Sequence, residues 1–248
     1  MIDERIAQRR RGVREDRRRG RLRRTLLLLT FLVVLVALVA LERSALVGLE
    51  EIEVVGAERL EADEIREATQ LALGTSTLRL RLNRVEERVE ALPAVREVSA
   101  RRLDPLTVVV EVVEREPSLV ARAADERVVV DREGVVLGRG GAPGLPVVHV
   151  DGELPEPGQT VAEEPGLHNA FLAWRGLTGP LRSEVVRYDA SGPNDLVLRL
   201  ESGLRVRFGR AERIDEKVRA LGVILEDLGD AEVREIDVRP PSAPVVVP

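Results

Sequence analysis

The sequence predicts an α+β protein in which a single N-terminal transmembrane helix precedes two folded modules. Three observations support this class: an uncharged run from Thr25 to Leu41, a β-α-α-β-β order of residue patterns within residues 47–117, and a mixture of hairpin and helix patterns within residues 118–239. The second module is expected to be a mixed, mainly antiparallel sheet with flanking helices. Because the chain has no cysteine, both modules must be held by their apolar cores rather than by disulfides.

The uncharged run predicts a membrane anchor. Its 17 residues, at about 1.5 Å each, reach roughly 25 Å as a helix, which is near the shortest length that crosses a bilayer. We place the transmembrane helix at residues 25–45, in contact with the lipid of the cytoplasmic membrane. A cleaved signal peptide is the alternative, but the run is longer than the apolar core of such a peptide, and no small-x-small cleavage site follows it.

The charge distribution predicts which side of the membrane each part occupies. Residues 1–24 contain eleven arginines and four acidic residues, a formal charge of +7, so the rest of the chain carries −12 of the total of −5. Arginine next to a membrane span is retained in the cytoplasm, which predicts a cytoplasmic tail at residues 1–24 and extracytoplasmic modules. The acidic modules carry no basic stripe that would neutralise phosphates, which argues against nucleic-acid binding.

The first module has a simple order of elements. A half-buried strand at Glu50–Val55 is followed by a helix that Asp63 caps and by a second helix from about Asn83, which Pro93 ends. Strands at Val95–Arg102 and Leu106–Glu114 complete the module. The pattern predicts a three-stranded sheet covered by two helices.

The second module alternates strand and helix patterns, and a proline-rich tail at residues 240–248 follows it. Its first half is predicted to contain a hairpin at Arg127–Asp131 and Gly134–Gly138, and then a loop at Gly140–Pro165 in which His149 lies in a short valine-rich strand. A helix with apolar positions from Leu167 to Leu177 and a second hairpin at Leu196–Leu200 and Leu204–Phe208 follow, and in this hairpin Arg199, Arg205 and Arg207 point outward. The module ends with a helix at Ala211–Leu228 and a last strand at Glu232–Val238. The tail cannot be a central strand, because its prolines lack backbone donors.

No motif in the sequence indicates catalysis, a metal or a cofactor. The only histidines are His149 and His168, and without cysteine they do not make a zinc ligand set. Ser183, His149 and Asp151 are the residue types of a hydrolase triad, but no Gly-x-Ser-x-Gly elbow accompanies them. The glycines of residues 138–141 follow a hairpin rather than open a helix, which argues against a phosphate site. We therefore predict no enzyme activity, no cofactor and no small-molecule substrate.

Two segments of the first module resemble a known domain. The strand end Val54-x-Gly-Ala-x-Arg-Leu60 and the run LPAVREVSARRLDPLTVVVEVVEREP at residues 92–117 resemble the POTRA domain of the FtsQ/DivIB cell-division proteins. In the second module, VDREGVVL at residues 130–137, Phe-Gly-Arg at residues 208–210 and the end IDVRPPSAPVVVP are similar to the FtsQ-type β-domain. The order of these segments along the chain makes the resemblance more specific than any single motif.

The resemblance implies a non-enzymatic, single-pass component of the bacterial division septum. Members bind the coiled-coil division proteins FtsB and FtsL and contact other division proteins. The FtsB contact adds a partner strand to a sheet edge formed by the last strand and the segment after it, a mode that needs free backbone groups. In this chain the implied edge is Val233–Arg239, with the valines of the tail beyond it. The implied partner-binding residues are Val233, Ile236, Val238, Arg239, Val245, Val246 and Val247.

Two features of that implied edge leave its details open. Arg239 matches the family pattern and is placed to pair with a partner carboxylate, but Pro240 stands where some relatives have an aromatic residue and removes both a donor and a stacking surface. The alternative interpretation is that Ile236 and Val238 belong to the core and Arg239 is a solvated charge.

Two other functions are compatible with the same sequence. One is a membrane-anchored scaffold of another envelope machine that contains a POTRA module, which partner cross-linking would distinguish. The other is an exported hydrolase with an unrecognised site, which activity screening would reveal.

Overall fold

The structure is a computed structural model that describes residues 26–37, 40, 48–228 and 233–248. The predicted cytoplasmic tail at residues 1–24 lies outside these residues, as do parts of the predicted span. Residues 26–37 are helical and exposed. Across the described ranges, no helix is both long and apolar enough to cross a membrane.

The first folded unit is the predicted three-stranded sheet with two helices. Its elements are β1 (Glu51–Val55), α1 (Ala62–Thr69), a 3-10 turn (Thr77–Arg79), α2 (Leu82–Glu90), β2 (Val95–Arg102) and β3 (Thr107–Glu114). The strand order is β1-β3-β2, with β1 parallel and β2 antiparallel to β3. The predicted β-α-α-β-β order is therefore confirmed.

The core of this unit lies between the sheet and the two helices. Ile65 on α1 and Val85 and Val89 on α2 are buried against the valines of β3, of which Val108 and Val110 are fully buried. The apolar positions at helical spacing in α1 and α2 thus face the positions at strand spacing in β3.

The second unit is a nine-stranded sheet with helices packed against it. Its strands are β4 (Pro117–Ala123), β5 (Glu126–Asp131), β6 (Val136–Arg139), β7 (Val147–Val150), β8 (Val185–Gly192), β9 (Asp195–Leu200), β10 (Arg205–Arg207), β11 (Glu235–Asp237) and β12 (Val245–Val247). Its helical segments are a 3-10 turn (Val161–Glu163), α3 (Pro165–Gly176), α4 (Gly179–Glu184) and α5 (Ile214–Leu228). The strand order is β12-β11-β10-β9-β8-β7-β4-β5-β6.

The sheet is mixed and mainly antiparallel, as predicted. Parallel pairing is confined to β4 with β7, β7 with β8, and β10 with β11. Strands β4 and β8, both of which are interior, are not among the elements that the sequence predicts. Pro117, the last residue of the predicted first module, is the first residue of β4, a position at which a strand tolerates proline.

The two faces of the nine-stranded sheet differ in chemistry. On one face α3 packs against β7, β8 and β9, and Leu167, Phe171 and Trp174 join a core that includes Tyr188 and Leu198. The opposite face carries polar side chains, including the predicted outward arginines Arg199, Arg205 and Arg207, all of which take part in ion pairs.

The predicted edge at Val233–Arg239 is wrong in one respect. Strand β11 lies inside the sheet, between β10 and β12, and the edge strand is β12. The chain turns back after β11, with the N–H of Ala243 donating to the carbonyl of Pro240 at 3.0 Å, and residues beyond the last proline of that turn pair with β11. The tail is an edge strand rather than a central one, in agreement with its proline content.

Candidate partner-binding edge

Strand β12 forms one end of the nine-stranded sheet. It is antiparallel to β11, with Val245 opposite Asp237, Val246 opposite Ile236 and Val247 opposite Glu235. Its three valines are 53, 38 and 44% exposed in chain order. In the part of the chain that the structure describes, no strand lies on its outer side. The strand therefore presents both backbone groups and apolar side chains to an incoming chain.

The other end of the sheet, β6, is covered at its first residue, Val136. The N–H of Val136 donates to the carbonyl of Gln159 at 2.9 Å, and the N–H of Gly158 donates to the carbonyl of Val136 at 2.8 Å. The N–H of Val161 donates to the carbonyl of Gly134 at 2.8 Å. Because a neighbouring loop already occupies this edge, β12 is the end of the sheet that is open to strand addition.

The segment after β10 is fixed by two polar side chains from the helices. The buried Lys217 of α5 donates from Nζ to the carbonyls of Phe208 at 2.8 Å and Arg210 at 2.6 Å. Asn169 of α3 donates from Nδ2 to the carbonyl of Gly209 at 3.0 Å and accepts from the N–H of Ala211 at 2.6 Å. These bonds hold the strand against which β11, and through it β12, is aligned.

Arg239 lies beside this segment and is already paired. Its guanidinium binds Asp237, with Nη2 to Oδ2 at 2.5 Å and Nε to Oδ1 at 3.0 Å. The hydrogen bonds from Arg239 lower the pKa of Asp237, and they outweigh its partial burial, which would raise that pKa. Gly209 makes room for the Arg239 stem, because a Cβ there would lie 2.9 Å from the Cγ of Arg239 and the Gly209 backbone has a φ of +68°.

The implied partner-binding residues fall into two groups. Ile236 and Val238 are fully buried, and Val233 packs partly buried against the same core. The side chains of these three residues support the edge from inside. Arg239 and the three valines of β12 are exposed, so they form the accessible surface.

Two residues that shape this edge, Asp237 and Asn169, are not among the site residues predicted from the sequence. Asp237 neutralises Arg239, and Asn169 binds the turn that follows β10. Asn169 was detectable in principle, since it is a polar residue beside the apolar positions of α3, where a buried amide needs backbone partners.

The candidate hydrolase triad and a metal-ligand cluster are the two sites to test in the described ranges. Ser183 donates from Oγ to the carbonyl of Pro180 at 2.7 Å, and no hydrogen bond links it to His149 or Asp151 there. Those same ranges contain no group of three histidine, aspartate or glutamate side chains that would hold a metal ion.

Comparison with known proteins places both modules in one family. A family model described as "POTRA domain, FtsQ-type" matches residues 47–115, and one described as "Cell division protein FtsQ/DivIB, C-terminal" matches residues 119–239. Three similar curated proteins, each called "Cell division protein FtsQ", come from Mycobacterium leprae, Streptomyces bingchenggensis and Corynebacterium glutamicum.

The alignments with these relatives cover most of this chain. The M. leprae protein is 29% identical over 185 residues, which is 74% of this chain and 51% of the relative. The S. bingchenggensis protein is 29% identical over 190 residues, 75% of this chain and 71% of the relative. The C. glutamicum protein is 25% identical over 173 residues, 69% of this chain and 75% of the relative. The chain thus spans about half the length of the mycobacterial relative and more of the other two. With both of its modules matched in order, this chain belongs to the FtsQ/DivIB family of bacterial cell-division proteins.

Proposed function

We propose that this protein is a single-pass membrane adaptor of the bacterial division complex that binds FtsB/FtsL-like coiled-coil proteins at β12. In this proposal residues 47–117 and 118–239 act as two extracytoplasmic domains, and the adaptor links early and late division proteins without catalysing a reaction. The observation that carries the proposal is the open edge at β12, opposite a sheet end that is already covered.

The anchor and its orientation are supported by the sequence. The uncharged run within residues 25–45 and the positive charge of residues 1–24 favour a helix whose N-terminal end is cytoplasmic. The protein would then sit in the cytoplasmic membrane at the division septum, with both domains outside.

Binding at β12 follows from the chemistry of its two components. Backbone N–H and C=O groups on the outer side of an edge strand provide hydrogen bonds to an added strand whatever its sequence. The exposed side chains Val245 and Val247 lie on one face of the sheet and Val246 lies on the other, so they contact alternate side chains of the partner. We therefore expect an extended partner segment with apolar residues at alternate positions.

Charge placed on β12 tests this assignment. We expect Val245→Glu/Val247→Glu to weaken binding of the extracytoplasmic part of an FtsB-like protein from the same organism by about tenfold or more, because two carboxylates must be buried against the partner. The measurement is the dissociation constant of the full chain in detergent micelles.

The matched control makes the same change at two equally exposed valines away from β12. Val186→Glu/Val223→Glu changes side chains that are 48 and 59% exposed, on β8 and α5. We expect the affinity of this variant to stay within about twofold of the parent, since surface substitutions rarely alter a distant interface. Equal loss in both variants, or no loss in the β12 variant, would exclude β12 as the binding edge.

A further inference from the structure

The sheet face opposite the helices has a register that places polar side chains in rows. One row crosses the strands from Arg127 on β5 through Arg122 on β4 and His149 on β7 to Asp189 on β8. The next row on the same face contains Val120 of β4, Val147 of β7 and Arg187 of β8. Residues two apart along a strand share a face, so these rows form one surface.

Most of the arginines on this face are already neutralised. Asp189 binds both Arg187 at 2.5 Å and Arg199 at 2.6 Å, and Glu235 pairs with Arg205 and Arg207. These ion pairs occupy the middle of the sheet.

The end of the face formed by β5, β4 and β7 is different. The guanidinium of Arg127 has no hydrogen bond or ion pair to any described residue, and the guanidinium of Arg122 uses only its Nε, which donates to the carbonyl of Ala124 at 3.0 Å. Burial and the neighbouring Arg187 lower the pKa of His149, Asp189 opposes them, and Arg122 and Arg127 lower it by smaller amounts. The guanidinium groups of Arg122 and Arg127 therefore lie beside the His149 imidazole without a carboxylate partner among the described residues.

A cavity of about 470 Å³ lies beneath these groups, within the size range of roughly 300–1,000 Å³ that is usual for ligand sites. Its walls combine the strands with the loop that joins β6 to β7, and its apolar lining includes Val120, Val147, Leu145 and Pro143. Arg127 lies against this loop, with a guanidinium nitrogen 3.9 Å from where a Cβ of Gly141 would be. The site thus places positive charge at the rim of an apolar depression.

We propose that this depression, the basic pocket formed by Arg122, Arg127 and His149, binds an extended acidic segment of a partner protein in which carboxylate and apolar side chains alternate. Arginine pairs with carboxylate through two parallel N–H donors, and both guanidinium groups have donors to spare. The apolar walls favour a polypeptide over an anionic glycan, because sugar hydroxyls buried against valine and leucine would lose their hydrogen bonds to water. The pocket is at the opposite end of the sheet from β12, so its test is independent of the one proposed for that edge.

The two histidines make the test specific. His149 belongs to the pocket, whereas His168 is exposed on α3, which packs on the other face of the sheet. The probe is the hexapeptide acetyl-Val-Glu-Val-Glu-Val-Glu-amide, added at low salt to the full chain in detergent micelles, with both imidazole signals followed by NMR and assigned with His168→Gln. With the acidic peptide, we expect a saturable shift of the His149 signals alone. The peptide that has lysine in place of glutamate should cause no shift, and binding of the acidic peptide should weaken as the salt concentration rises.

Arginine variants test whether the peptide binds at the pocket itself. We expect Arg122→Gln/Arg127→Gln to weaken binding of the peptide about tenfold or more. Arg127→Gln alone, at an exposed position, should also weaken binding measurably. The matched control is Arg132→Gln, an exposed arginine in the turn before β6 that does not line the pocket, for which we expect a change within about twofold.

Three results would overturn the proposal. They are the absence of a saturable His149 shift, equal affinity in the double variant and the parent, and displacement of the peptide by polygalacturonate at the same carboxylate concentration. The last result would show a site for anionic polymers in general rather than for an acidic polypeptide.

Discussion

At the scale of single residues, Glu114 accounts for a sequence motif of the first module. Its buried carboxylate accepts from the backbone N–H groups of Glu58 at 2.9 Å, Arg59 at 3.0 Å and Leu60 at 2.9 Å. The preceding turn requires Gly56, because its φ is +88° and a Cβ there would lie 2.2 Å from the carbonyl oxygen of Val112. The motif that begins with glycine and ends in Arg-Leu is thus an anion-binding turn wrapped around one carboxylate.

The electrostatics of Glu114 predict a pH-dependent contribution to stability. Burial opposes its ionisation, but the donated N–H groups outweigh burial and lower its pKa. A carboxylate whose pKa is lower in the folded state stabilises the protein above the unfolded-state value of about 4.3, and this contribution disappears as the pH falls through the folded-state value.

Glu114→Gln measures that contribution. We expect the free energy of unfolding of the first module to fall by about 1–3 kcal/mol at pH 7, because N–H groups lose their charged acceptor, and the difference from the parent to shrink as the pH falls below about 4. Native-state hydrogen exchange at the amides of Val108 and Val110 reports this free energy. Glu111→Gln on the same strand, where the carboxylate forms an exposed pair with Arg101, should cost less than about 0.5 kcal/mol. Equal losses in both variants would contradict the assignment.

At the scale of elements, the local patterns predicted most of the fold but not the pairing. The helices and the two long strands of the first module follow from apolar spacing alone. Strand β8 escaped because a register shift between Val185 and Arg187 interrupts the two-residue alternation on which strand prediction depends. The position of β11 inside the sheet depends on the return of residues 245–247, a non-local contact that no local pattern encodes.

The candidate surfaces were predictable to different degrees. The outward direction of Arg199 and Arg205 followed from alternation along each strand, and the structure confirms it. The row that joins Arg127, Arg122 and His149 did not, because β4 was not predicted and its pairing with β7 connects strands that are distant in sequence.

Mutations in the adjacent strands β11 and β12 should differ in their effects on stability and on partner binding. Ile236 is fully buried whereas its partner Val246 is 38% exposed. We expect Ile236→Ala to lower the free energy of unfolding by about 2–5 kcal/mol, because it leaves a cavity in the core. We expect Val246→Ala to lower it by less than about 1 kcal/mol but to weaken binding of the FtsB-like partner. Urea unfolding followed by the fluorescence of Trp174, together with partner affinity, separates these effects. A large stability loss in Val246→Ala would place that side chain in the core instead.

At the scale of the whole molecule, a charged junction joins the two units. Arg115 donates from Nε to the carbonyl of Val95 in the first unit at 3.2 Å. It also donates from Nη1 to Asp131 in the second unit at 2.8 Å and pairs there with Glu133. Buried Asp131 further accepts from the N–H groups of Glu133 at 2.9 Å and Val135 at 2.8 Å. The Asp-Arg-Glu-Gly turn therefore both closes a hairpin and connects the second unit to the first, while β12 lies at one end of the larger sheet.

The central claim is that a division partner adds a strand to β12, and amide hydrogen exchange tests it most directly. The measurement compares the full chain in detergent micelles with and without the extracytoplasmic part of an FtsB-like protein from the same organism. Alternate N–H groups of an edge strand point outward, so strand addition should slow exchange within Val245–Val247 by about tenfold or more and leave the N–H of Val136, which already donates to Gln159, unchanged. Saturating partner binding with unchanged exchange at Val245–Val247 would contradict the account.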